Sequence, residues 1–291
     1  MPLFGTHVST RRGAANALAS AVTLGCGTAQ IFTKNASQWS AAPLTDEEVT
    51  AFRRAVGASG LAHLTAHDAY VINLASPNPT TYAKSVNAFV DELERAEALG
   101  LDYLVTHPGS HTGSGEETGL ARVTGGYDEA LARCPGFKVR VLLETTAGQG
   151  TALGHRFEHL AAILRRAKGA DRMGVCFDTC HVFAAGYALA SESDYAATFQ
   201  QFEDLIGLSR LKLFHVNDSA KPFGSRVDRH AGIGRGEIGI DAFRRLVTDP
   251  RFAHLPMILE TPKEDDDGND MDAVNLATLR RLSAEAPGSP R

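Results

Sequence analysis

The chain has 291 residues, of which 43% are hydrophobic and 22% charged, with a formal net charge of −5. These are ordinary globular proportions for one large α/β domain. No run of 18 apolar residues suggests a membrane partner, and an acidic balance by itself argues against a nucleic-acid partner, which normally meets a basic face. The start, MPLFGTHVSTRRG, lacks a basic segment followed by a long apolar one, so a cytoplasmic location is expected, and the four cysteines (Cys26, Cys134, Cys176, Cys180) form no CxxC and are expected to be reduced thiols.

In chain order, short apolar runs alternate with segments of helical period. Strands are predicted at 3–9, 28–33, 61–67, 102–107, 139–144, 173–178, 211–216 and 256–260. Between the second and third lies TDEEVTAFRRAVGA, whose Thr45 and Glu48 have capping-box spacing. Between the third and fourth lies TYAKSVNAFVDELERAEALG, with Val86, Phe89, Val90 and Leu93 on one face and a stop at Gly100. RFEHLAAILRRAKG, DYAATFQQFEDLIG, GIDAFRRLVTDP and MDAVNLATLRRL continue the alternation. Eight βα units of about 36 residues fit an α/β fold of the (β/α)8 TIM-barrel type over residues 1–291, with the active site at the C-terminal ends of the strands. An open Rossmann-type sheet is the alternative, but no GxGxxG follows an early strand.

Ionisable residues recur where these strands end: His67, His107, Glu144, Asp178, His215 and Glu260. Any one of them reads most simply as a cap or a buried hydrogen-bonded group. Six around one barrel mouth would repel or lie desolvated without a cation. His181 follows Asp178 by three residues, and Asp228 and His230 are separated by one, so an extended loop would put that pair on one side. The nine groups are too many for one tetrahedral ion. Imidazole and carboxylate without thiolate favour zinc, with manganese or iron as competitors, over magnesium or calcium. Cys176 shares strand parity with Asp178 and is expected inside the barrel as a small hydrophobe, with Cys180 in a turn beside the site.

The phrases FTKN (32–35), HDAYVINLASP (67–77), HPGSH (107–111), ETTAGQG (144–150), DTCHVFAAGY (178–187), HVND (215–218), GSRVDRHAGIGRGEIG (224–239) and ILETP (258–262) together resemble the endonuclease IV family, zinc-dependent apurinic/apyrimidinic endonucleases of base excision repair. The resemblance spans nearly the whole chain. It implies a TIM barrel with three zinc ions, manganese being an alternative at one site. It also implies hydrolysis 5′ to abasic sites in double-stranded DNA, leaving a 3′-hydroxyl and a 5′-deoxyribose phosphate, and cleaning of blocked 3′ ends by a monomer. His67 and His107 would hold one ion, with Glu144 bridging to a second completed by Asp178, His215 and Glu260. His181, Asp228 and His230 would hold the third. Glu144 and Glu260 are the catalytic candidates.

Three divalent ions would outweigh the four carboxylates, which reconciles an acidic chain with a DNA substrate. Tyr70 matches a loop residue that inserts into the DNA stack. Lys34, Asn35 and Arg229 are candidate DNA contacts, with Arg11, Arg12, Arg226 and Arg235 in segments near the same rim, and His7, Asn73 and His111 are read as positioning groups. Ser37 stands where the family often has Arg, leaving Gln38 or Trp39 as substitutes. Two other readings are a one-metal sugar isomerase or epimerase, for which Glu144, Asp178, His215 and Glu260 would suffice, and a non-catalytic zinc-dependent protein that binds damaged DNA.

Overall fold

The structure, a computed structural model, describes residues 2–265 and 267–285. The elements run β1 (Leu3–His7), α1 (Ala14–Thr23), β2 (Thr28–Phe32), α2 (Asp46–Ser59), β3 (Thr65–His67), α3 (Pro79–Leu99), β4 (Tyr103–Thr106), α4 (Glu116–Arg133), β5 (Arg140–Glu144) and α5 (Phe157–Arg166). There follow β6 (Met173–Asp178), α6 (Thr179–Ala185), α7 (Glu192–Leu205), β7 (Leu211–His215), β8 (Asp218–Ser219), β9 (His230–Ala231), α8 (Ile240–Thr248), β10 (Pro256–Leu259) and α9 (Met271–Ala284). Eight parallel strands close in the order β1-β10-β7-β6-β5-β4-β3-β2, giving the expected (β/α)8 barrel, while β8 and β9 form a separate two-stranded antiparallel ribbon.

Local chemistry accounts for the helix ends. Thr45 accepts from the Glu48 N–H at 3.2 Å and Glu48 accepts from the Thr45 N–H at 2.8 Å, completing the capping box of α2. Gly100 closes α3 at φ 76°. The third strand is shorter than its apolar run suggests. Residues 61–64 approach it as a loop, and His63 is left-handed at φ 53°. The DTCH stretch, expected as a loop, is instead the start of α6: Asp178 caps it by accepting from the His181 N–H at 2.7 Å.

The barrel interior explains where the mouth residues come from. Val105, Leu142, Cys176, Leu213 and Ile258 form a compact inner core, fully buried and distinct from the larger core between strands and helices. Side chains alternate across a strand, so the residue two positions beyond each points inward one layer higher. Those residues are His107, Glu144, Asp178, His215 and Glu260. Cys176 thus lies inside the barrel, as its parity predicts.

Candidate metal centre

Glu144 is fully buried and sits at the middle of the mouth. Its Oε2 lies 3.1 Å from His67 Nε2 and 3.3 Å from His107 Nε2. Its Oε1 lies 3.1 Å from both His215 Nδ1 and His181 Nδ1. Glu260 Oε2 is also 3.1 Å from His215 Nδ1. Asp228 spans the remaining two histidines, with Oδ2 at 3.2 Å from His181 Nε2 and Oδ1 at 3.3 Å from His230 Nε2. Counting imidazoles and carboxylates alone, three overlapping groups result: His67, His107 and Glu144; Glu144, Asp178, His215 and Glu260; and Asp178, His181 and His230, with Asp228 against the last two. Asp178 lies between the second and third groups and belongs to both.

The rings are turned by what holds their other nitrogen. His67 Nδ1 donates to Asp68 O at 2.9 Å, His181 Nδ1 to Thr145 O at 2.8 Å and His230 Nδ1 to Glu260 O at 3.1 Å, so each leaves Nε2 facing the cavity. His215 is reversed. Gln30 donates from Nε2 to Glu260 Oε1 at 2.6 Å, which orients its amide so that Oε1 accepts from His215 Nε2 at 2.8 Å, leaving Nδ1 toward Glu144 and Glu260. Asn217 serves the neighbouring carboxylates, donating to Asp178 Oδ2 at 2.7 Å and accepting from the Glu260 N–H at 2.8 Å. The nearby Asp218 carboxylate accepts from the N–H groups of Gly234, Gly236 and Ile238, each at 3.0 Å, and so pins the loop beyond Asp228 and His230.

Burial and charge pull the ionisations in opposite directions. Burial alone would raise the Glu144 carboxyl, but His215 and His107 hold it well below the usual carboxylate range. Burial would lower the His67 imidazole, but Glu144 raises it from its ordinary 6.5 to about 10. Asp228 falls to about 2 against its burial, because His181 and His230 face it. Such a set attracts a cation to replace the imidazole protons. Two atoms fit that description directly: His181 Nε2 and His230 Nε2 are buried with no hydrogen-bond partner among the described residues, and both face Asp228. Two cysteines also border the site, Cys176 beside Glu144 and His215 and Cys180 beside Asp228 and His230. Burial pushes the Cys176 and Cys180 thiols up to about 12, and Cys180 Sγ lies 3.6 Å from Arg229 O.

The other expected residues divide. Tyr70 stands at the mouth, 66% exposed, beside the Phe32 and His67 rings. Together with Asn73, His107, Gln149, His181 and Asp228 it lines a cavity of about 270 Å³ next to the three groups. Asn35, Arg11, Arg12, Arg226, Arg229 and Arg235 are exposed. His7 backs Glu260, its Nδ1 3.7 Å from Oε1.

Two expectations need correction. Lys34 does not face solvent; its side chain is fully buried, with Nζ 2.7 Å from Asp91 and 3.1 Å from Glu92, so it cannot contact a phosphate. His111 does not support the metal-type cluster but accepts from the Gly115 N–H at 3.1 Å, at the start of α4. Asn73 is placed as a positioning group would be: it ties two loops of the cavity wall together through Ser110, accepting from its N–H and donating to its carbonyl, each at 2.9 Å. Sequence reasoning misses Gln30, although a fully buried amide at the inward parity of an apolar strand is its signal; Asn217 lies within the HVND phrase with nothing local to reveal its partners.

No helix among the described residues is long and apolar enough to cross a membrane. Residues 18–282 match the family model of xylose isomerase-like TIM barrels. A protein of Chloroflexus aurantiacus named "Probable endonuclease 4" is 53% identical over 284 residues, covering 97% of this chain and 98% of that protein. The crystal structure of endonuclease IV from Thermus thermophilus superposes with a TM-score of 0.86 at 37% identity, covering 98% of this chain and 100% of that one. A D-tagatose 3-epimerase-like protein shares the fold alone, with a TM-score of 0.71 at 18% identity over 97% of this chain and 98% of its own. Barrel, mouth and near-complete sequence correspondence agree, and the chain belongs to the endonuclease IV family.

Proposed function

We propose that the protein is a DNA-repair hydrolase that cuts the phosphodiester bond on the 5′ side of abasic sites in double-stranded DNA, leaving a 3′-hydroxyl and a 5′-deoxyribose phosphate, and that also clears blocked 3′ ends. The observation that carries this reading is the gathering of nine imidazole and carboxylate groups, Glu144 among them, at one barrel mouth in three overlapping sets. One ion in an isomerase or epimerase would leave five of them without a role, and a protein that only grips damaged DNA has no need of the complete set.

The orphaned nitrogens of His181 and His230 and a donor set dominated by imidazole and carboxylate fit three zinc ions, with manganese an alternative at one. His67, His107 and Glu144 would hold the first, Glu144, Asp178, His215 and Glu260 the second, and His181, Asp228 and His230 the third. When bound, such ions supply Lewis acidity toward phosphoryl oxygens and lower the pKa of water, the nucleophile. Glu144 and Glu260 are the catalytic carboxylates in this reading: both face His215 Nδ1, and Gln30, Asn217 and His7 fix Glu260 from behind. Tyr70 would fill the stack opened by a missing base, and Asn35 and Arg229 would meet the flanking backbone. The whole chain would act as one barrel domain and as a cytoplasmic monomer.

The test pairs metal analysis with incision of a duplex bearing one synthetic abasic site, with and without chelator. Three equivalents of transition metal and chelator-sensitive cutting are expected. Fewer than two equivalents together with an uncut duplex would sink the reading, and near-normal cutting by Glu144→Ala would remove the role given to that carboxylate.

A further inference from the structure

The corrected position of Lys34 exposes a second device. Residues 33–45, between β2 and α2, form a rim loop that carries Asn35, Ser37, Gln38 and Trp39 and is joined to the Tyr70 backbone, whose N–H donates to Ala36 O at 2.8 Å. Both halves of this loop are fastened to α3 by charged side chains, of which Lys34, Glu92 and Arg95 are shielded from solvent and Asp91 is partly exposed. At its start, Lys34 Nζ donates to Asp91 Oδ2 at 2.7 Å and to Ala88 O at 3.3 Å and lies 3.1 Å from Glu92 Oε1, while Thr33 Oγ1 also donates to Glu92. Further on, the Arg95 guanidinium reaches Ala41 O at 3.2 Å and also bonds Ala42 O, with its Nε on Asp91 Oδ1 at 2.9 Å.

Lys34, Glu92 and Arg95 are each buried, and the two cations balance two anions. Buried ion networks are weak contributors to stability, because desolvation offsets the attraction, yet they strongly favour one geometry over its neighbours. A connection that only had to join β2 to α2 would not require one. Between the fastened segments the tip stays exposed at Asn35, Ser37 and Gln38, folded on itself by Asn35 Oδ1 accepting from the Ser37 N–H at 2.9 Å.

We infer that Lys34, Asp91, Glu92 and Arg95 form a positioning network that presets the rim loop and the Tyr70 backbone for a distorted duplex, so that affinity for the abasic duplex depends on residues set behind the loop. The inference rests on the endonuclease reading above. Its physical content is preorganisation: a loop already held in its binding geometry does not lose conformational freedom when DNA arrives.

The chain has a single tryptophan, Trp39, half-buried in this loop, so its emission reports the loop alone. The experiment compares wild type, Arg95→Met and Arg95→Lys, which keeps the charge but cannot span both carbonyls. Expected for both variants are a red-shifted, more quenchable Trp39 emission, unchanged metal content, a KM for abasic duplex raised about tenfold and a kcat within about twofold of wild type. Wild-type emission and KM in the variants would overturn the inference, even with a lowered melting temperature, because a purely structural role predicts that pattern. So would a joint fall of kcat and metal content, which would mean that the change acts through the metal groups. A wild-type protein that does not cut the abasic duplex would instead sink the endonuclease reading, whatever the Trp39 signal does.

Discussion

Replacing Gln30 by Met isolates what the mouth gains from a residue that is not itself placed among the nine groups. Met keeps similar length and polarisable bulk inside the barrel, so packing is nearly preserved while both amide functions vanish. The Gln30 side chain accepts from His215 at 2.8 Å and donates to Glu260 at 2.6 Å, with His7 Nδ1 3.1 Å from the same amide nitrogen. Losing it frees the His215 ring to rotate and to place its proton on either nitrogen, and leaves Glu260 Oε1 with His7 alone, 3.7 Å away. Removing outer hydrogen-bond partners of metal-binding groups weakens metal binding or activity by about 10- to 100-fold, or roughly 1.4–2.7 kcal/mol. The loss should fall on an ion held by the set containing His215 and Glu260, while one held by His181, Asp228 and His230 would stay. Competition against a chromophoric chelator, titrated stepwise, would show one equivalent leaving early and incision failing with it. If Gln30→Met releases all its metal at the wild-type chelator concentration, the view that this amide sets the ring and carboxylate geometry is refuted.

Removing the Tyr70 ring by Tyr70→Ala should lower the preference for abasic over undamaged duplex about tenfold, the scale of one lost stacking contact; equal affinity changes for both duplexes would count against a wedge. Metal-stripped and metal-loaded protein should respond to pH in opposite senses. The His67 imidazole is raised from its ordinary 6.5 to about 10 in the fold, so its contribution to the stripped protein is complete below the lower value and lost as pH climbs through the upper. Melting temperature should therefore drop between about pH 7 and about pH 9.5 in stripped protein, while the loaded form, which needs neutral imidazoles, weakens on acidification instead; parallel slopes would refute this. At Gly236, a Cβ would lie 2.3 Å from Ser219 O and 2.6 Å from Asp218 Oδ1. Gly236→Ala should cost about 2–3 kcal/mol in denaturant unfolding, and a neutral result would mean that the Asp218-pinned loop yields easily.

The barrel is legible because each strand is a short apolar run that stops at a polar residue, and inward parity carries from Leu142 to Glu144 or from Ile258 to Glu260 without tertiary information. Helices α1 and α4 announce themselves less, since they begin after Gly13 and Gly115 with no side-chain cap. Lys34 misleads for a definite reason. A lysine beside an exposed asparagine looks like a phosphate contact, and only the packing of α3 reveals Asp91 and Glu92 waiting for it. The ring orientations of the histidines are equally hidden, because they depend on carbonyls and amides brought in from other strands, such as Thr145 O against His181.

The inward layer above Val105, Leu142, Cys176, Leu213 and Ile258 also bears on how the chain becomes folded. Gln30 and Glu260, whose side chains meet at the mouth, are 230 positions apart in the chain. Groups gathered from strands at both ends of the polypeptide cannot meet before the first and last strands have joined, β1 against β10. Small zinc modules let their ion nucleate the fold, whereas here the set that includes Glu260, with Gln30 behind it, is complete only once the barrel has closed. An ion held by that set would act as a clasp fastened after the hoop has closed: it should slow opening of the finished barrel far more than it hastens assembly.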